Sequence, residues 1–226
     1  MNEQLKRTLL SLAGLSVFLL LAFGSDLTSN TNNSNSRTIG SNARVTTSGN
    51  TGTYVNSKAN FTGKLAENYV DFSFSYPSSW KRDPKAGKGD SPNFIKFEKD
   101  TADEITLENF AVGYFSGQKE LMPQLAGQLS QQFSGSFPEY KKVSEGETHV
   151  GSYDGYEFRF TSHSDKSAKG PLDIWGRVIL LPGGEGRRGA AMDMLATSEN
   201  PDVHGVEDVG DKGELPIILN SFKFGS

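Results

Sequence analysis

The sequence predicts an α+β fold in which short strands joined by turns pack against one long amphipathic helix. Three observations carry this expectation. Val70, Phe72, Phe74 and Tyr76 alternate with Asp71, Ser73 and Ser75, and Tyr156, Phe158 and Phe160 alternate with Glu157, Arg159 and Thr161. A period of two puts the large apolar side chains on one face of a strand. Leu121, Leu125, Leu129 and Phe133 instead recur every four residues with Met122 and Ala126 beside them, the stripe of a helix lying on a sheet.

The elements follow in chain order. Lys6 and Arg7 precede an apolar run from Leu9 to Phe23, closed by Gly24 and Ser25, which reads as an export segment over residues 1–24. Ala22 and Gly24 are small enough for signal-peptide cleavage before Ser25. Retention as a membrane anchor is the other outcome, since Thr8 to Ser25 as a helix would reach roughly 27 Å, near the thickness of a bilayer core. Lipoprotein processing is excluded, because Ser25 stands where a cysteine would be needed. Residues 25–59 are expected to form a disordered linker. From Ser25 to Thr53 only Leu27, Ile39 and Val45 are large and apolar, so no core can form and the segment would span roughly 30 Å as a flexible tether.

The globular domain is expected over 60–226, opening with Tyr69–Arg82. Pro77 fixes its own φ and lacks a donor, so the first strand ends there, and Trp80 is placed to cover the strand end with its N–H near a polar partner. Lys81–Asp90 is a polar, Gly- and Pro-containing connection. Asn93–Glu98 and Asn109–Phe115 read as strands. The helix starts near Glu120 or Leu121, because Pro123 is tolerated only in a first turn, and Gly135 is placed to end it. Lys141–Val150 and Tyr156–Thr161 form a hairpin about Ser152–Gly155. Asp173–Leu181 is almost continuously apolar, as a central strand covered on both faces should be. Pro182–Gly186 turns it into Gly189–Thr197. Leu215–Ser221 is a short helix with Pro216 in its first turn, and Phe222–Phe224 closes the domain. Phe72, Phe74, Phe158, Phe160 and Leu125 are expected to share one core.

Composition narrows function mainly by exclusion. The net charge is −4 over 226 residues, which disfavours nucleic acid as a partner. Cysteine is absent, so there is no disulfide framework, thiolate nucleophile or Cys-ligated zinc. Fifteen Phe and seven Tyr supply much of the core even though only 35% of the chain is hydrophobic.

Candidate chemistry is sparse. His149, His163 and His204 lack the spacing of a helical metal motif. His163 lies beside Asp165 past a strand, and His204 sits in an acidic stretch with Glu199, Asp202, Glu207 and Asp208, where a weak divalent-cation site is conceivable without the ordered loop pattern of a calcium site. Gly183–Gly189, GGEGRRG, lacks the Lys-Ser/Thr ending of a phosphate loop and reads as a strand-to-strand turn, with Arg187 and Arg188 dressing it. No G-x-S-x-G elbow is present. No catalytic, cofactor-binding or metal-ligating residue is assigned.

The strand-Pro-Ser-Ser-Trp unit Phe72–Trp80, the amphipathic helix, the Tyr156–Phe160 strand and the ending Ile217–Phe222 together resemble the PsbP-like family over about Asn60–Phe224. The resemblance implies an α/β/α sandwich with a largely antiparallel central sheet, and a non-enzymatic binding or assembly role. No position matches a functional motif of the photosystem-binding or Ran-binding branches, so no site residue is carried over. The expectation is an exported, membrane-proximal, non-catalytic module that binds a protein partner in the cell envelope and requires no cofactor. Its rivals are a small-ligand or divalent-cation-binding protein using Glu199–Glu214, and more distantly a hydrolase.

Overall fold

The computed structural model describes residues 46–48, 50–167 and 170–225. The expected export segment over residues 1–24, with its cleavage or retention, and most of the expected linker lie outside these residues. In chain order the elements are β1 (Thr46–Ser48), β2 (Thr51–Val55), α1 (Gly63–Glu67), β3 (Phe72–Pro77), β4 (Lys81–Arg82), β5 (Ile95–Asp100), β6 (Thr106–Phe115), α2 (Met122–Ser136), β7 (Lys141–Val150), β8 (Tyr153–Ser167), β9 (Gly170–Leu181), β10 (Gly189–Thr197), α3 (Leu215–Ser221) and β11 (Lys223–Phe224). Seven strands form the main sheet in the order β4-β5-β6-β10-β9-β8-β7, and a smaller sheet runs β1-β2-β3-β11. Every pairing between these strands is antiparallel. Among the described residues no helix is long and apolar enough to cross a membrane.

Side-chain alternation sorts the chain into layers. On β10, Ala190, Met192, Met194 and Ala196 face one side, whereas Ala191 and Leu195 face the other. Helix α2 lays Met122, Ala126, Leu129 and Phe133 on the second side, against Phe158, Phe160, Val178 and Leu180. The Phe133 and Phe160 rings meet edge to face with centroids 5.4 Å apart. Gly176 permits this packing, because a Cβ there would lie 2.0 Å from the Phe160 ring. The opposite side is covered by the small sheet and α3, with Phe74 packed edge-on against Phe110 at 5.2 Å. The result is a sandwich about an antiparallel sheet, with its second helical layer shared with four short strands.

Three expectations are corrected. Phe72 and Phe74 belong to the small-sheet side, whereas Phe158 and Phe160, with Leu125 packed against them, belong to the α2 side. Each is on the apolar face of its own strand, but the main sheet separates two cores. Second, the folded domain reaches back past the expected boundary at Asn60. Thr51–Val55 pairs with β3, Tyr54 is fully buried, and the Asn56 side chain donates to Val70 O at 2.7 Å. Alternating Tyr54 and Gly52 with Thr51 and Thr53 is strand chemistry, masked in the sequence by the polar run before it. Third, the β7–β8 hairpin turns at Gly151–Ser152, since Val150 is already paired with Tyr153; Gly151 supplies the positive φ of 58°.

Expectations for α2, Trp80 and the two central strands hold with small shifts. Pro123 lies in the first turn of α2, which runs one residue beyond Gly135. Trp80 is buried and its Nε1 donates to Glu214 Oε2 at 3.0 Å. β9 and β10 are interior strands with side chains in both cores.

Candidate functional site

The acidic stretch after β10 has a structural use. Glu157, Arg159 and Arg177 share the face of β8 and β9 opposite Phe158 and Val178, where the carboxyl end of the chain crosses the sheet. Arg159 donates to Val206 O at 3.0 Å and Glu207 O at 3.2 Å. Arg177 Nε donates to Glu157 Oε2 at 2.8 Å, and Asp211 reaches both guanidinium groups, at 3.4 Å from Arg159 and 3.6 Å from Arg177. Burial alone would raise the Glu157 carboxyl, but the two arginines outweigh it and hold it below its ordinary value. Two planar guanidinium groups thus clamp the backbone and acids of the 206–211 turn onto the sheet.

Two further acids of that stretch, Asp208 and Glu214, are similarly engaged. Asp208 accepts from His204 N at 2.9 Å and pairs with Lys212 at 3.0 Å, and these bonds lower its pKa. Glu214 meets Trp80 and, at 2.8 Å, Lys99. Fully buried Glu108 accepts from Glu214 N at the start of α3 at 3.2 Å. Its pKa is raised by burial, against the opposing pull of that amide and of Lys99. Among the described residues no group of three or more His, Asp or Glu side chains is arranged to hold a metal ion. The histidines are dispersed: His149 pairs with Asp154 at 2.9 Å, and His163 bridges Asp173 at 2.6 Å and Asp165 at 3.0 Å, bonds that raise its pKa.

The glycine-rich segment 183–189 is the β9–β10 connection, as its sequence implies. It gathers with the β7–β8 turn and the segment after β6 at one end of the main sheet. Gly117, at a φ of 83°, is the close approach that seats these loops together, because a Cβ there would stand 2.1 Å from Arg187 O. Between them opens a cleft of about 840 Å³ whose walls include Lys119, Glu120, Asp154, Glu185, Arg187 and Arg188. Lys119 and Asp154 lie 3.8 Å apart, and Arg187 Nη1 donates to Gly225 O at 3.2 Å. Three cations and three anions line one open groove. Such a surface suits a chain of mixed charge better than an apolar small molecule, whose sites are concave and mostly hydrophobic.

A second polar region lies on the α2 side of β5, β6 and β10. Lys96, Ala111 and Asp193 are register partners across these strands, so the small Ala111 leaves room between the ammonium and the carboxylate. Both charged residues are buried, and Lys96 Nζ also meets Glu98 Oε1 at 2.7 Å. Burial pushes the Asp193 carboxyl up to about 7, against the pull of Lys96, and its Oδ1 has no hydrogen-bond partner among the described residues. Lys96 in turn lines a hollow of about 320 Å³ under the loop from Asp83 to Pro92. Sequence reasoning did not single out these residues. A signal existed for Asp193, the one charge inside the otherwise apolar or small run GAAMDMLAT; Lys96 in IKFEKD carries none, because alternating charge is ordinary on a solvated strand face.

No family model and no curated protein matches this chain. Among solved structures it is similar to one from Bacteroides thetaiotaomicron VPI-5482, with 12% identity and a TM-score of 0.40. That match covers 69% of this chain and 45% of the other, so the chain spans less than half of that structure's length. It is also similar to LpqN, involved in cell envelope biogenesis of Mycobacterium tuberculosis, with 8% identity, a TM-score of 0.44, and coverage of 70% of this chain and 86% of that one.

Proposed function

We propose that this chain is an exported, membrane-proximal, non-catalytic module that binds a polypeptide segment of a cell-envelope partner in the cleft at the loop end of the main sheet. The observation that carries the reading is the balanced charge of that open cleft, three basic and three acidic side chains presented by the segment after β6, the start of β8 and the β9–β10 connection. A mixed-charge groove gains its selectivity from complementary potentials and its association rate from steering, both properties of protein recognition. Lys6 and Arg7 ahead of the Leu9–Phe23 run, followed by a Ser/Thr/Asn-rich tether, support export and a place near the membrane. The resemblance of Phe72–Trp80 and Ile217–Phe222 to the PsbP-like family points toward the same kind of role.

The test is capture from native membranes followed by reconstitution with the purified partner. A stoichiometric complex that weakens with salt and is lost in Arg188→Glu and Glu120→Lys, variants at exposed loop positions, supports the proposal. Retention of the complex by both variants would remove the cleft from it, and saturation by a metabolite with no stoichiometric protein partner would overturn it.

A further inference from the structure

Strand β7 is a long open edge of the main sheet. The other edge strands of the two sheets, β4, β1 and β11, are only two or three residues long and offer little to pair with. β7 runs from Lys141 to Val150, pairs on one side with β8, and has no strand on its other side among the described residues. Lysines and a bulge are common protection for such an edge. Here they occupy only its start. Lys141 and Lys142 precede a register shift between Lys142 and Ser144, whereas from Ser144 to Val150 the pairing with β8 is unbroken and the strand contains no Pro, Lys or Arg.

The hairpin determines which backbone groups are free. Val150 and Tyr153 flank a two-residue turn, so they form a hydrogen-bonded pair, and such pairs recur at every second residue from there. Thr148, Gly146 and Ser144 therefore turn N–H and C=O toward β8, and Glu145, Glu147 and His149 turn theirs outward. Exposure agrees with this. Glu145 is an exposed residue although its side chain, held by Lys142 and Tyr156, is only 21% exposed, so much of its open surface is backbone.

Side chains select the occupant of that edge. Glu145 and Glu147 stand opposite Phe158 and Tyr156, which places both carboxylates on the α2 side. Glu145 is shared with Lys142, but Glu147 forms no ion pair among the described residues. A second copy paired antiparallel about a two-fold axis at any residue from 145 to 147 would set glutamate against glutamate, and like charges directly opposite are destabilising. We infer that β7 accepts, as an added strand along Ser144–Val150, a polypeptide segment bearing Lys or Arg at alternate positions. Its backbone bonds to Glu145, Glu147 and His149, and its basic side chains face Glu145 and Glu147 on the α2 side. This surface differs from the loop-end cleft, and the inference stands without it.

The experiment is a titration of the full chain, isotope-labelled and at low salt, with a short peptide alternating Lys with Thr and a control alternating Glu with Thr. Saturable binding of the basic peptide should slow amide exchange at Glu145, Glu147 and His149. The amides of Gly146 and Thr148, already bonded to β8, should change little. The acidic control should bind at least about tenfold more weakly, since two cross-strand charge pairs change sign. His149→Pro removes an outward N–H that β8 does not use, a substitution an edge strand tolerates, and should weaken binding at least about fivefold. Glu147→Lys, an exposed change that leaves every backbone group in place, should do the same. No saturable binding of the basic peptide, equal affinity for the acidic one, binding without slower exchange at those three amides, or unchanged affinity in both variants would each overturn the inference. Self-association of the free chain that protects the same three amides would also overturn it, by giving the edge to a second copy. The loop-end cleft variants Arg188→Glu and Glu120→Lys should leave peptide binding to β7 unchanged, so failure of either reading is seen separately.

Discussion

Asp193 shows how one residue can set a property that its strand does not reveal. Its neighbours along β10 are all buried, and its carboxyl lies across Ala111 from Lys96. Burial outweighs that ammonium and moves the pKa from an ordinary 3.8 up to about 7. Folding therefore favours the protonated acid. Between those two values the native chain binds a proton that the unfolded chain has released, so this group's contribution is present at low pH and is lost as pH rises from about 4 through about 7. The variant Asp193→Asn, neutral at every pH, should show a denaturation midpoint close to the parent's near pH 4 and clearly above it at pH 8. A parent–variant difference that stays constant from pH 4 to pH 8 would show that Asp193 titrates as an exposed carboxylate does. Arg159 and Arg177 illustrate the converse, since these buried charges have several partners each and are held by geometry.

At the scale of the element, α2 separates what periodicity reveals from what it hides. The stripe read from the sequence included Leu121, Leu125, Leu129 and Phe133, yet Leu121 is 41% exposed in a 3-10 turn before the helix and Leu125 is only partly buried. The buried line is Met122, Ala126, Leu129 and Phe133, at spacings of three and four. Leu129→Ala should cost about 2–5 kcal/mol through lost transfer energy and the cavity left behind. Leu121→Ala should stay within about 0.5 kcal/mol, and urea denaturation of the two variants measures the difference directly. Equal costs would mean that the helix begins earlier and turns a different face to the sheet. Strands with a strict period were legible because one face of each is polar: Phe72–Tyr76 and Tyr156–Phe160 are found as expected. Which strand lies beside which was not legible, since antiparallel partners such as β6 and β10 are set by distant pairing. That is why two apolar faces expected to meet instead lie on opposite sides of the main sheet. The hollow beside Lys96 was hidden for the same reason, because it exists only once the loop from Asp83 to Pro92 folds back over β5.

For the whole molecule, the decisive question is where the folded unit begins. Composition placed that point near Asn60, because Ser, Thr, Asn and Gly dominate the preceding chain. The structure instead ties residues 51–56 into the small sheet by bonds that a tether would not make. β2 pairs with β3 along its length, with Tyr54 opposite Phe74. Tyr54 OH donates to Asn56 Oδ1 at 2.8 Å, Tyr69 OH to Asn56 O at 2.8 Å, and Asn56 N to Phe72 O at 2.8 Å. The Tyr54 ring packs against Phe72, Phe74 and Phe97 at centroid distances of 6.0, 5.4 and 6.2 Å. Removing this strand would expose one edge of β3, leave buried backbone groups without partners and strip an aromatic side chain from the small-sheet core. A chain beginning at Val45 should therefore melt with the full-length protein, whereas one beginning at Asn60 should melt well below it or fail to fold, as scanning calorimetry of the two truncations would show. Limited proteolysis should likewise spare the peptide bonds between Thr51 and Asn56, and equal melting temperatures for the two truncations would return those residues to the linker.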